Sequence, residues 1–417
     1  MNARAEVAVD EDPARRWREL GVLAVAMVLS MSTWFSTAAV LPQLRREWDL
    51  SQVAASWLTI AVQLGFVFGA VVSAVFTLAD RVRPRRLVLL GTLGAALANV
   101  ALLAAGGIGA GLPLRFAVGA FLAWVYPPAL KAMSAWFRRG RGLALGVMVG
   151  ALTLGSALPH LIRSLGSPPW EAVIVATSAL TVLGGLVAEL AATDGPFLAP
   201  SAPFDPRQIG QIVRNPRLRL ASAGYFGHMW ELYAMWAWFG ACSADVLPGR
   251  PSLAALLTFA VIGIGAAGCV VGGVISDRST RTAAAALAMA LSAPVAAVIG
   301  FARNGPVAVV VVLGLLWGFW VVADSAQFST IVTEHADPRY VGTALTLQLA
   351  MGFVLTVFTI FLVPVVRDAS SWGWAFLLLV PGPALGVVAM ARLGLRPVPA
   401  PASAVPAPPP VFVSPFF

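Results

Sequence analysis

Leu78-Ala79-Asp80-Arg81-Val82-Arg83-Pro84-Arg85-Arg86 closes one apolar run and opens another, and its Asp-Arg pair returns as Asp277-Arg278 at the end of a later apolar run. A second echo keeps nearly the same period: Gly142-Leu143-Ala144-Leu145 and Gly342-Thr343-Ala344-Leu345 each open an apolar segment. Two unrelated markers with one spacing point to an internal duplication. Internal repeats are the usual plan of secondary transporters, which bind substrate between the halves near the bilayer midplane.

Composition agrees with that expectation. Of the 417 residues, 59% are hydrophobic and only 11% are charged. Apolar stretches of about 20 residues or more follow one another, as lipid-spanning helices require. Segments are expected at roughly 20–42, 53–79, 86–105, 109–131, 142–162 and 171–190, then at 218–242, 253–275, 282–302, 306–334, 341–365 and 373–392. The reading is an all-α integral membrane protein of twelve spans in two six-helix bundles, 20–190 and 218–392, related by pseudo-two-fold symmetry.

Arginine placement sets the expected orientation. With a cytoplasmic N-terminus, the outer loops hold only Arg45, Arg46, Arg163, Arg250, Arg303 and Arg367, and Arg115 alone lies within a span. The rest of the 28 basic residues fall on the inner side, the asymmetry that the positive-inside rule describes. A multi-pass protein of the cell's inner membrane, with both termini cytoplasmic, is therefore expected. The charged stretch 1–19 shows no signal-peptide cleavage pattern and reads as a cytoplasmic tail. Residues 191–217, with Pro196, Pro200, Pro203, Pro206 and Pro216, read as a cytoplasmic linker, and 393–417 as a Pro/Ala-rich disordered tail.

Several function classes lose support. The net charge of +9 is explained by short-loop arginines, so nucleic acid is not an expected partner. Cys242 and Cys269 imply no disulfide framework, and the three His residues never reach metal-ligand spacing, so no metal is expected. Lys131 is the sole lysine, and no phosphate-binding loop of the Gly-x-x-x-x-Gly-Lys-Ser/Thr type occurs. Without a hydrolase elbow either, neither an enzyme nor a cofactor is expected, and ion gradients remain as the energy source.

The loop 78–86 is similar to the Gly-x-Leu-Ala-Asp-Arg-x-Gly-Arg-Arg signature of the major facilitator superfamily, with Phe76 in place of its first Gly and Arg83 in place of its second. Gly273-Val274-Ile275-Ser276-Asp277-Arg278 keeps the leading Gly and the Asp-Arg pair but loses most of the basic tail. The resemblance covers roughly 20–392 and implies a twelve-helix transporter. Asp80, Arg81, Asp277 and Arg278 would then form a conformational latch, a carboxylate pairing with Arg and with the positive end of a neighbouring helix. Arg115 with Gly119 resembles the Arg-x-x-x-Gly pattern of proton-coupled members. The fifth segment carries Gly142, Gly146, Gly150 and Gly155, a stripe suited to close helix packing, and lacks the Gly-Pro pair typical of drug and proton antiporters. Its glycines, and those of 342–352, are similar to the nitrate and nitrite porters and to organic-anion members. Where those porters use Arg in their second and eighth helices, this chain has Gln63 and no charge.

A charge within the bilayer costs at least about 2.5–3.5 kcal/mol at a helix centre, which makes Arg115, Glu231 and Asp324 functional candidates. Arg115 offers a planar fork for an anion, a proton-pathway carboxylate or a structural partner. Trp317, Trp320, Asp324 and Gln327 fall on one face of a continuous helix and are expected to line a central cavity. His228 and Glu231, three apart in a polar and aromatic stretch, are expected to share a proton or a hydrogen bond on one face, and Asp324 to bind a proton or fix a substrate. Trp34, Thr37, Tyr126 and Gln348 are further cavity candidates. Together they predict a monomeric carrier of a small organic anion coupled to protons. A proton-driven exporter of lipophilic compounds and a non-transporting sensor with the same fold are the alternatives.

Overall fold

The computed structural model describes residues 13–137, 140–197, 204–337 and 340–396. Most of the expected N-terminal tail, most of the expected C-terminal tail and part of the linker lie outside the described residues. The main helices are α1 (Pro13–Ser30), α2 (Gln52–Val75), α3 (Pro84–Ala104), α4 (Ile108–Ser134), α5 (Arg141–Ser164), α6 (Trp170–Ala191), α7 (Pro216–Val246), α8 (Pro251–Arg278), α9 (Arg281–Ile299), α10 (Val307–His335), α11 (Val341–Ala369) and α12 (Trp372–Gly394). Helix α1 starts at Pro13, inside the stretch read as tail, and the linker contains a short helix, Ile209–Arg214.

Ten of these helices are long and apolar enough to cross a membrane. The exceptions, α1 and α7, differ for local reasons. Arg15, Arg16, Arg18 and Glu19 occupy the first half of α1, which then breaks into a 3-10 turn at Met31–Thr33 and short helices at Ser36–Ala39 and Leu41–Glu47. Helix α7 has 31 residues, about 46 Å at 1.5 Å per residue, but His228, Glu231 and its Trp and Tyr residues dilute its hydropathy.

Helix starts follow from local chemistry. Ser51 Oγ accepts the Ala54 N–H at 3.0 Å ahead of α2, and Thr280 Oγ1 accepts the Ala283 N–H at 3.1 Å ahead of α9. Asn215 caps α7 through the Arg217 N–H at 3.0 Å, with Pro216 at the first helical position. On the outside of the bundle, Leu97, Leu190 and Leu385 are 70%, 79% and 69% exposed. Apolar exposure of that extent belongs against lipid rather than water.

The two halves of the chain meet along two seams. In one, Phe66 of α2 packs on Phe353 of α11 at 4.8 Å between ring centroids, and Trp57 meets Phe361 at 6.4 Å. In the other, α5 lies directly on α8: Gly142 faces Gly273 and Asp277, Gly146 faces Cys269, and Gly150 faces Ala266. A Cβ at Gly142 or Gly146 would collide with atoms of α8. Gly155 leaves this stripe and packs against Val28 of α1.

Candidate functional site

The break in α1 explains Arg115. A helix that stops inside a membrane leaves carbonyls with no water to bond, each costing several kcal/mol if orphaned. Arg115, fully buried on α4, donates to the Thr33 carbonyl at 3.1 Å, the Trp34 carbonyl at 2.6 Å and the Leu58 carbonyl at 3.4 Å. It also reaches Ser36 Oγ at 3.1 Å and Asn99 Oδ1 at 3.0 Å. Its guanidinium is thereby occupied in holding α1, α2 and α3 together. It lines neither of the cavities described below, so the expectation of direct anion contact does not match its surroundings. Asn99 was overlooked in the sequence, although an amide inside an apolar helix was the available signal.

Helix α10 is interrupted too, by a turn over 321–324. The single face expected for Trp317, Trp320, Asp324 and Gln327 assumed an unbroken helix, and the turn scatters it. Trp317 Nε1 donates to Glu231 Oε1 at 2.7 Å, while Ser292 Oγ donates to Glu231 Oε2 at 2.8 Å. Asp324 Oδ1 instead lies 2.8 Å from His228 Nδ1. That contact is close but off the ring N–H direction, an ion-pair approach without full hydrogen-bond alignment. Each of these five residues is at most 1% exposed. His228 and Glu231 therefore serve different partners and do not bond each other. Gln327 is buried with neither amide atom hydrogen-bonded among the described residues, and Trp320 is half-buried against Phe319.

Between the halves lies a central cavity of about 220 Å³. Trp34, Tyr126, His228 and Gln348 line it, as expected. So do Tyr225, Tyr233 and Trp236 of α7 and Phe353 of α11, aromatic residues that an apolar helix carries as readily on a lipid or packing face. Thr37 is buried elsewhere, and its hydroxyl has no hydrogen-bond partner among the described residues. Trp34 is the hub of an aromatic layer: it stacks on Tyr233 at 5.9 Å and touches Phe66 at 4.8 Å and Phe353 at 5.9 Å. Phe35 closes on Trp236 at 5.8 Å beside it. Past this layer a second cavity of about 730 Å³ begins, floored by Ala38, Ala237, Gly240 and His160.

Residues 23–359 match the family described as the Major Facilitator Superfamily. The chain belongs to this superfamily. Its fold is that of solved superfamily transporters: a bacterial homologue of the human lysosomal transporter Spinster, inward-facing and occupied, aligns over 94% of this chain and 100% of its own at TM-score 0.66 and 15% identity. The human organic anion transporter MFSD10 (TETRAN) aligns over 91% of this chain and 99% of its own at TM-score 0.67 and 14% identity. Both likenesses concern fold. Among curated relatives, the multidrug efflux pump LfrA of Mycolicibacterium smegmatis (strain ATCC 700084 / mc(2)155) is 32% identical over 210 residues, 47% of this chain. The chain covers 39% of that pump's length.

The two superfamily loops hold different partners. Asp277 Oδ2 accepts the Leu143 N–H at 3.1 Å, joining the end of α8 to the start of α5 across the two halves. Asp80 pairs with Lys131 inside the first half, where Lys131 also donates to the Ala79 carbonyl at 2.9 Å. The Arg81 and Arg278 side chains form no hydrogen bond or ion pair among the described residues; Asp80 pairs with Lys131, while Asp277 meets the positive end of a neighbouring helix, α5. The linker takes the equivalent place on α11: the Asp205 N–H donates to Thr343 Oγ1 at 2.8 Å. Hydrogen bonds from the Gln208 side chain and the Arg207 backbone hold the Asp205 carboxyl below its ordinary pKa.

Proposed function

We propose that this membrane transporter carries a small organic anion with an apolar body, coupled to protons, across the inner membrane by alternating access as a monomer. The observation that carries the reading is the His228–Asp324 pair, buried at the wall of an aromatic cavity between the halves. An imidazolium–carboxylate pair is neutral overall. One further proton, taken by Asp324, leaves the site with a single positive charge on His228. That charge favours a carboxylate in the cavity, so proton and anion enter the same state together. Trp34, Trp236 and Phe353 would take the apolar part of the solute, and the Tyr126 and Tyr225 hydroxyls would offer it hydrogen bonds. The Asp277 latch and the aromatic layer would open in turn as the halves rock.

A second reading, proton-driven export of lipophilic compounds, draws support from two observations. Among the described residues no Lys or Arg lines the central cavity, and the chain resembles a multidrug efflux pump over part of its length.

Internal pH recorded with a trapped dye in proteoliposomes separates the two. Acidification driven by an added carboxylate such as benzoate, and lost in Asp324→Asn, supports anion–proton symport. A response to lipophilic cations alone, with carboxylates silent, replaces it with the export reading. Carboxylate-driven proton entry undiminished in Asp324→Asn removes the pair from the coupling step.

A further inference from the structure

The larger cavity, on the far side of the aromatic layer, has a chemistry of its own. Arg45, Arg46 and Arg163 line it from the first half and Arg367 from the second, against two acids, Asp245 and Asp368. Arg367 satisfies both acids, at 2.7 Å and 2.8 Å, and Asp245 also accepts the Trp372 indole N–H at 2.8 Å. The first-half wall is not neutralised in this way. Arg45 donates to the Leu50 carbonyl at 3.1 Å and to Gln52, Arg46 to the Pro42 carbonyl at 3.2 Å, and Arg163 to the Pro168 carbonyl at 3.0 Å. None of the three has a carboxylate partner among the described residues, and Glu47, next to Arg46 in sequence, accepts the Trp170 indole N–H instead.

Two further observations turn this wall into a site. Arg163 is only 9% exposed yet uses one of its three nitrogens, and Arg46 is near enough for the two charges to repel. His160, 2% exposed on the cavity floor, has its Nε2 buried with no hydrogen-bond partner among the described residues. A buried polar group without a partner costs about 1–3 kcal/mol unless something completes it. Arginines on this face also run against the positive-inside rule that places the others. Of the six assigned to it by sequence, four line this one cavity.

We infer that the outer vestibule is a binding site for a small free anion bearing carboxylate or phosphate oxygens, held by Arg46 and Arg163 with His160 beneath. Arg guanidinium groups match such oxygens in geometry as well as in charge. The site is separate from the central cavity and does not need that cavity to hold an anion. It concentrates anionic solute at the mouth of the transport path, or receives it on the way out.

Equilibrium dialysis of the full chain in phosphatidylcholine nanodiscs, with radiolabelled succinate and inorganic phosphate at fixed ionic strength, tests it. Saturable binding is expected, weakened about tenfold or more in Arg46→Ala and Arg163→Ala, as loss of a charge-assisted hydrogen bond implies. Arg250→Ala, which removes an exposed arginine of the same face that lines neither cavity, should bind as the parent does. Arg46 is solvent-exposed, so its variant carries the test even where Arg163→Ala unfolds. No saturable binding of either anion, or equal binding in Arg46→Ala and the parent, overturns the inference. Binding that Arg46→Ala abolishes while carboxylates drive no proton entry would instead refute anion symport and leave the vestibule site standing.

Discussion

The Asp277 carboxylate accepts the Leu143 N–H at 3.1 Å and rests against Gly142, so the end of α8 in one half caps the start of α5 in the other. Leu143 has one of the first N–H groups of α5, which no intrahelical carbonyl can take. Negative charge is favoured at that position, by about 0.3–1 kcal/mol at an exposed helix end. Asp277→Asn should weaken the clasp by that order, and Gly142→Ala should displace the carboxylate, because the added methyl would occupy its place. In both variants thiol labelling at Ala266→Cys, deeper in the same seam, should accelerate. Unchanged labelling would show that this contact does not govern access.

Asp80 provides the contrast. Its ion pair with Lys131 is partly solvent-exposed and stays within one half, where such pairs contribute about 0–1 kcal/mol. Lys131→Met should lower the melting temperature little and leave Ala266→Cys labelling as it was. A labelling change as large as that of Asp277→Asn would mean that the first loop also controls the seam.

Arg115 is expected to matter for stability before it matters for substrate. Arg115→Met strips a donor from the Trp34, Thr33 and Leu58 carbonyls; a buried acceptor left unsatisfied costs about 1–3 kcal/mol, and the Thr33 carbonyl keeps Ser36 Oγ at 3.0 Å. The variant should melt well below the parent in detergent, and Asn99→Leu should reproduce part of the loss. Full thermal stability of Arg115→Met with altered anion dependence would return Arg115 to a role in substrate contact.

Glu231 and Trp317 should prove energetically coupled. Glu231 accepts from both Trp317 and Ser292, so Glu231→Gln turns one acceptor into a donor facing a donor. A thermal-stability double-mutant cycle with Trp317→Phe should give an interaction of about 0.5–3 kcal/mol, the range for residues in contact. Additive losses would show that the 2.7 Å contact contributes nothing of its own.

Much of the architecture was legible along the chain. The duplicated Asp-Arg and Gly-x-Ala-Leu markers, the runs of apolar residues and the sparse charge led to a two-halved helical membrane protein, and to the superfamily that residues 23–359 match. The candidate site was legible only as a set of residues. Arg115, Glu231, Asp324 and His228 were conspicuous because charge is rare in lipid. Their partners were misjudged wherever helix continuity was assumed: the turn over 321–324 separates Trp317 from Asp324 in role, and the break after Ser30 gives Arg115 its carbonyls. His160 and Arg163 drew no notice as a pair, since a helix end near water makes both unexceptional in sequence.

Sequence by itself determined that this chain lives in a membrane, that it is built on a repeat, and which few ionisable residues fall within its apolar segments, because run length, spacing and polarity are properties of short stretches of chain. Tertiary structure alone decided that Arg115 holds a broken helix, that Asp324 meets His228 while Glu231 meets Trp317, and that Asp277 bridges the halves. Each of those outcomes depends on which distant segment supplies a hydrogen-bond partner within about 3 Å. A local breaking of helix geometry sets that, and no residue spacing encodes it.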